Sequence, residues 1–127
     1  MAAPAAWLAY DALFDFAFTP ADGVLRFRAG RAGRFPLVHP LFWATADVRD
    51  VSGDGNGAGD REVTLRVRRV FTEHPVHLSA IDVPATALDV SIDGRPVGPV
   101  ETAGLFKRYP LAKPLNIAAG ATVTWRV

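Results

Sequence analysis

The strongest structural signal in the chain is an alternation of apolar and polar residues between Glu62 and Phe71. The alternating positions are the apolar Val63, Leu65 and Val67 and the polar Thr64, Arg66 and Arg68. Because successive side chains of a β-strand point to opposite faces, this pattern predicts a strand with one face on a core. The other face contacts either water or an acidic partner. Arg69 breaks the alternation and predicts a β-bulge at that position.

Short strands are predicted along most of the remaining chain. They are Val24–Arg28, Phe35–Trp43, Val76–Val83, Ala87–Asp93, Arg95–Val100, Gly104–Tyr109, Leu115–Ile117 and Ala121–Val127. The pair Asp93-Gly94 favours a hairpin because both residue types tolerate positive φ, and Ala119-Gly120 predicts a turn. Since Phe35–Trp43 contains two prolines, it should be an edge strand or a bent one. Seven to nine short strands predict a mainly β chain, as a β-sandwich or a small β-barrel.

An aromatic segment at the N-terminus, residues 1–20, is predicted to carry a short helix over Ala5–Phe18. Pro4 suits the first helical position, and Thr19-Pro20 ends the helix because the residue before a proline avoids the helical region. Its large aromatics are Trp7, Tyr10, Phe14, Phe16 and Phe18. An apolar stripe covers only part of a helix surface, so these side chains cannot all face the core. We therefore expect the segment to anchor a protein interface.

Residues 21–35 form an arginine- and glycine-rich stretch without hydrophobic periodicity. Its arginines are Arg26, Arg28, Arg31 and Arg34, and it also contains Gly30 and Gly33. The pattern predicts a solvated arm whose guanidinium groups pair with carboxylates on a neighbouring subunit. The formal net charge of the whole chain is +1, so no overall field favours nucleic acid, and nucleic-acid binding is not expected.

Length and composition narrow the class of protein further. The 127 residues contain no linker or internal repeat, so we expect a single domain over residues 1–127. The absence of cysteine excludes disulfides, thiolate metal ligands and cysteine nucleophiles. No apolar run approaches the ~18 residues of a membrane span, and the N-terminus lacks the basic start of a signal peptide. We expect a protein made in the cytoplasm.

A possible metal site is confined to the polar loop Asp47–Asp60. The candidate ligands are Asp50, Asp54, Asn56 and Asp60. With Ser52, the first three give oxygen ligands two residues apart, and Gly55 is at the sixth position, as in a calcium loop. Gly57 replaces the apolar residue that the eighth position requires, and Arg61 occupies the position of the bidentate carboxylate. We therefore expect an exposed, metal-free loop.

No motif in the chain predicts catalysis. There is no nucleophile elbow and no phosphate-binding loop. His74 and His77 are three residues apart near a strand boundary, where a strand would point them to opposite faces, and His39 lies among apolar residues. The prediction is a non-enzyme without a cofactor.

Three stretches of the chain resemble small structural proteins of tailed bacteriophages. They are Leu8–Pro20, Leu37–Ala46 with the following glycine-rich loop and Glu62-Val-Thr-Leu, and Ala103–Phe106 with Pro114–Thr124. The arginine-rich stretch before Phe35 and the hairpin at Asp93-Gly94 depart from that pattern. The resemblance implies a tail, connector or capsid-decoration subunit located in the virion, with copies of itself and other virion proteins as partners and no catalytic residues.

A second function remains open at this stage. A mainly β domain of this kind is also typical of a non-catalytic binding module that recognises a carbohydrate or a protein at a bacterial surface. The two functions differ in whether the chain works within an oligomeric assembly or as a separate module.

Overall fold

A computed structural model of the chain describes residues 16–28, 32–51, 61–87 and 89–127. Within these ranges the chain is mainly β, which confirms the predicted class. The same ranges contain no helix. The strands are β1 (Ala17–Thr19), β2 (Val24–Arg26), β3 (Gly33–His39), β4 (Phe42–Asp50), β5 (Arg61–Val70), β6 (His77–Pro84), β7 (Val90–Ile92), β8 (Arg95–Val97), β9 (Glu101–Ala103), β10 (Phe106–Asn116) and β11 (Thr122–Arg126).

The strands form two sheets. One has five strands in the order β1-β2-β6-β10-β9, and the other has six in the order β3-β4-β5-β11-β7-β8. All described neighbours are antiparallel except β2 and β6, which run parallel. In the six-stranded sheet the two longest strands, β4 and β5, are antiparallel neighbours.

A single hydrophobic core is built from the buried faces of both sheets. Leu25 and Ile81 come from the five-stranded sheet, whereas Leu37, Phe42 and Trp125 come from the six-stranded sheet. Trp125 is 1% exposed, and no described polar or charged residue is buried in this core. Each fully buried large apolar side chain stabilises the fold by roughly 1.5–3 kcal/mol, so packing is the main source of stability.

Two local predictions are confirmed by the backbone. Asp93 and Gly94 have φ values of 51° and 81°, and they join β7 to β8 as the predicted hairpin. The pairing of β4 with β5 shifts register between Trp43 and Ala44, and this shift leaves Arg68 as the extra residue of a bulge. The bulge lies one residue before its predicted position.

The region around Pro40 differs from its prediction as one strand. The chain reverses at Pro40 and Leu41, and β3 and β4 pair as a hairpin from Gly33↔Val48 to His39↔Phe42. The prediction of an edge strand is confirmed for β3, which contains Pro36 and lies at the end of the sheet.

The predicted number of strands was too low, because eleven are present among the described residues. Gly104–Tyr109 and Leu115–Ile117 were predicted as separate strands, but most of both lies in β10. The reason is that β10 pairs with β6 on both sides of an irregularity between Pro110 and Leu115.

The prediction of a helix over Ala5–Phe18 was wrong for its last three residues. Ala17 and Phe18 belong to β1, which pairs with β2, and Phe16 precedes it without helical structure. The remainder of Ala5–Phe18 lies outside the described residues. The alternation of buried Phe16 and Phe18 around partly buried Ala17 follows the period of a strand.

Candidate interaction surface

Most of the exposed charged residues of the six-stranded sheet lie on its outer face. On β5 the buried Val63, Leu65 and Val67 alternate with outward-facing residues, as the sequence predicted. The outward positions of β4 and β5 are Trp43, Thr45, Asp47 and Arg49 and Glu62, Thr64, Arg66 and Arg68. The register of β4 against β5 therefore determines which charges lie side by side on this face.

One end of this face is neutralised by ion pairs within the chain. Arg34 Nε donates to Asp47 Oδ1 at 2.6 Å, and Arg49 donates to Glu62 Oε1 at 2.6 Å. The hydrogen bond to Asp47 raises the pKa of Arg34 above its ordinary value. Exposed pairs of this kind contribute little to stability, but they leave little net charge for a partner.

The other end of the face has three exposed arginines without a carboxylate. Arg68 Nε donates to Thr45 Oγ1 at 3.1 Å, and the Arg69 guanidinium lies 5.7 Å from the ring centroid of Phe71. The side chain of Arg66, which is opposite Thr45 in register, has neither a hydrogen bond nor an ion pair with any residue that the structure describes. None of the three arginines pairs with a described carboxylate.

Exposed apolar side chains lie next to these arginines. Trp43 is 40% exposed and sits between Val38 and Arg69 in the register of β3, β4 and β5. Val38 is 36% exposed and Phe71 is 53% exposed. We call this surface the arginine–tryptophan patch. Its members are Val38, Trp43, Arg66, Arg68, Arg69 and Phe71.

The β-bulge explains why the patch has so many cations. In a regular strand, Arg68 and Arg69 would point to opposite faces of the sheet. The extra residue opposite the Trp43–Ala44 step instead leaves both arginines exposed, while Val67 and Val70 keep their inward positions. The bulge therefore adds a second guanidinium beside Trp43 without removing an apolar residue from the core.

The outer face of the five-stranded sheet contrasts with the patch, because its arginine is matched by acids. Arg108 donates to Asp82 at 3.0 Å and to Glu101 at 3.3 Å, and the hydrogen bond to Asp82 raises the pKa of Arg108. The guanidinium of Arg26 lies 4.9 Å from the ring centroid of Phe106. On this face Arg108 is therefore neutralised by two acids of the chain, unlike the arginines of the patch.

The predicted aromatic interface is partly wrong. Phe16 and Phe18 are 5% and 7% exposed and belong to the core, so they cannot anchor a partner. Phe18 packs edge-on against His39 and Phe42, with ring centroids 5.4 and 5.3 Å apart. The other three predicted anchors, Trp7, Tyr10 and Phe14, lie outside the described residues.

The predicted arginine arm is also corrected. Arg26 lies in β2 and is partly buried, and Arg34 lies in β3, where it is paired with Asp47. Arg28 is exposed just after β2, and Arg31 lies outside the described residues. Strand pairing orders both ends of this stretch. The predicted strand Val24–Arg28 agrees with β2 at the first end, whereas the start of β3 at Gly33 was not predicted.

The polar loop begins later than predicted. Asp47 and Asp50 are the end of β4, where they pair in register with Thr64 and Arg61. The Asp50 carboxylate accepts from Arg61 Nε at 3.1 Å. The other calcium candidates, Asp54, Asn56 and Asp60, lie outside the described residues.

The histidines occupy two environments. His39 stacks on Phe42 at 5.3 Å between ring centroids, and its Nδ1 accepts from the Leu41 amide at 3.1 Å. Burial lowers the pKa of His39. His74 and His77 both line one cavity of about 410 Å³, together with Asp22. His74 precedes β6 instead of lying in it. Across the described ranges, no three potential ligands are grouped to hold a metal ion.

Comparison with known proteins gives no relative: no protein-family model, curated protein or solved structure matches the chain. In the part of the chain that the structure describes, no helix has the length and apolar character to cross a membrane.

Sequence reasoning found part of this patch. The alternation of β5 identified Arg66 and Arg68 as a face for an acidic partner. Trp43 was assigned only to a predicted strand, because its exposure depends on the chain reversal at Pro40. Val38 is brought next to Trp43 by the pairing of β3 with β4, and Phe71 directly follows the end of β5. Neither residue could therefore be placed in the patch from the sequence alone.

Proposed function

We propose that this protein is a non-catalytic β-sandwich subunit of a larger protein assembly and that its arginine–tryptophan patch contacts acidic surfaces of neighbouring subunits. The observation that carries the proposal is the presence of three exposed arginines that lack a described carboxylate beside the exposed Trp43. The described part of the chain presents these cations beside an exposed indole and supplies no carboxylate for them.

The chemistry of the patch matches that of interface anchors. Tryptophan and arginine are enriched among the residues that contribute most to protein association. A guanidinium group forms two parallel hydrogen bonds with a carboxylate, which fixes orientation as well as adding affinity. A partner with carboxylates around an apolar centre would cover Trp43 while pairing Arg66 and Arg69.

The position of the patch within the fold also supports this role. Trp43 and Arg66 lie on β4 and β5, which are paired along almost their entire lengths. The two sheets around one core form, in this proposal, a β-sandwich that holds these strands rigidly. Side chains on paired strands lose less backbone freedom on association than side chains on a loop, so binding costs less entropy.

The proposed assembly is the particle of a tailed bacteriophage, with the protein as a tail, connector or capsid-decoration component of the virion. This part of the proposal comes from the resemblance of the sequence to such proteins. The resembling stretch Leu37–Ala46 forms most of the β3–β4 hairpin and contains Trp43. Its partners would be copies of itself and other virion proteins.

The test compares two charge-reversed variants during assembly. The double variant Arg66→Glu/Arg69→Glu changes the patch, and Arg95→Glu/Arg126→Glu makes the same change in net charge at exposed sites outside it. Size-exclusion chromatography with light scattering, followed by negative-stain imaging, should show large species for the parent and the control. The patch variant should elute as a smaller species while retaining its circular dichroism spectrum. Equal assembly of both variants would refute the proposal, as would a strictly monomeric parent at high concentration.

The exposed ring of Trp43 also favours a second candidate, the carbohydrate-binding module. An exposed indole presents a flat apolar surface on which a sugar ring can pack. Binding of a neutral oligosaccharide that persists in Arg66→Glu/Arg69→Glu and is lost in Trp43→Ala would identify this function instead.

A further inference from the structure

A groove opens where β10 separates from β6. The register of this pair is interrupted between Pro110 and Leu115, so the intervening residues of β10 are not paired with β6. The groove has a volume of about 450 Å³ and is bounded by this stretch, by the β7–β8 hairpin and by β11. That volume lies within the range of small-molecule sites.

The wall of the groove is largely apolar. Its apolar side chains include Ile92, Val97, Leu111, Leu115 and Val123. Ile92 and Val123 are core residues with 5% and 1% exposure, whereas Val97, Leu111 and Leu115 are only partly buried and pack against the core. The groove therefore reaches from the surface to the edge of the hydrophobic core.

Two cations stand at the groove without partners in the described chain. The side chains of Arg95 and Lys113 are both exposed, and neither side chain forms a hydrogen bond or ion pair with a described residue. Asp93 is the acidic residue of the lining, and its Oδ1 accepts from the backbone amide of Thr124 at 3.1 Å. One oxygen of this carboxylate is thus held by β11, and the lining carries two cations against this one acid.

We propose that this groove binds a small aliphatic carboxylate, with the hydrocarbon chain against Val97 and Leu111 and the carboxylate between Arg95 and Lys113. Burial of each methylene group removes apolar surface from water, and the cations replace part of the hydration of the carboxylate. The site is separate from the arginine–tryptophan patch, and the inference does not depend on the proposed assembly.

Octanoate and octanol provide a direct comparison because they share the chain and differ in charge. Each would be titrated into the ¹⁵N-labelled full-length protein. Octanoate should shift the amide signals of Val97, Leu111 and Ala112 in a saturable manner. Octanol should bind about tenfold more weakly, which is the loss expected when a charge-assisted contact is removed. Equal affinity for the two compounds, or octanoate shifts centred elsewhere, would overturn the proposal.

Variants of the two cations test the same site. Arg95→Gln/Lys113→Gln should weaken octanoate binding by about tenfold and leave octanol binding unchanged. The control, Lys107→Gln/Arg126→Gln, removes the same charge away from the groove and should retain full affinity. Unchanged octanoate affinity in the groove variant would refute the assignment. Because these variants keep Arg66 and Arg69, failure here leaves the assembly test unaffected.

Discussion

Among the glycines that the structure describes, Gly23 is the position where an added methyl group should be most costly. Its φ is +67°, and a Cβ there would lie 2.6 Å from the carbonyl oxygen of His77 and 2.9 Å from Ser79 Oγ. The Gly23 carbonyl also accepts from the amides of Ser79 and Ala80 at 2.6 and 3.2 Å. These bonds join the β1–β2 turn to β6 at the start of the parallel pairing, so the backbone cannot move away without breaking them.

The expected cost of Gly23→Ala has two parts. A left-handed φ costs a residue with a Cβ about 1–2 kcal/mol, and overpacking costs about 1–3 kcal/mol, so the free energy of unfolding should fall by about 2–5 kcal/mol. Gly94→Ala is the matched control, because Gly94 has a φ of +81° but no atom within 4 Å of its added Cβ. It should lose only the first part, about 1–2 kcal/mol.

Urea denaturation followed by circular dichroism measures both variants. Thermal melts should agree, with a shift of roughly 3–5 °C for each kcal/mol in a chain of this size. Equal destabilisation of Gly23→Ala and Gly94→Ala would show that Gly23 is not held against β6, and the described β1–β2 packing would be wrong.

Two further predictions concern the core and pH. Trp125→Ala should lower the free energy of unfolding by about 3–5 kcal/mol, because the Trp125 side chain is fully buried. Trp43→Ala should lower it by less than about 1 kcal/mol in the same urea titrations, because Trp43 is half exposed. Similar losses for the two variants would contradict the faces assigned to these tryptophans. The lowered pKa of His39 means that the unfolded chain binds a proton more readily, so stability should fall as pH drops through the ordinary value of 6.5. Urea midpoints at about pH 7.5 and about pH 5.5 should differ less in His39→Gln than in the parent. An unchanged difference in His39→Gln would exclude this cause.

Local patterns were sufficient for several parts of the fold. The alternation of β5, the hairpin at Asp93-Gly94 and the buried face of β11 each depend on a few adjacent residues. Side-chain period and turn chemistry are properties of the sequence itself, so these elements could be predicted within one to three residues.

Features that depend on distant pairing could not be predicted. The parallel contact of β2 with β6 joins residues such as Leu25 and Ile81, and no local pattern specifies it. The strand at Ala17–Thr19 was mistaken for part of a helix because closely spaced aromatics fit both periods when the segment is short. Pairing with β2 makes this segment a strand and not a helix.

The candidate surface shows the same division. Arg66 and Arg68 were identifiable from alternation, and a bulge was expected at Arg69. The sequence did not identify which arginines are neutralised within the chain, because Arg34 pairs with Asp47 only through the register of β3 against β4. The sequence contains twelve arginines, and only the fold distinguishes those that are paired from those that remain available.

Hydroxyl-radical footprinting of the protein in its dissociated and assembled states tests the proposed interface most directly. Trp43 should be oxidised readily in the dissociated chain and fall to the level of buried Trp125 after assembly. Leu105, which is 75% exposed in the turn between β9 and β10, should keep its reactivity and serves as the internal control. Equal oxidation of Trp43 in both states would contradict the claim that the arginine–tryptophan patch joins the subunits.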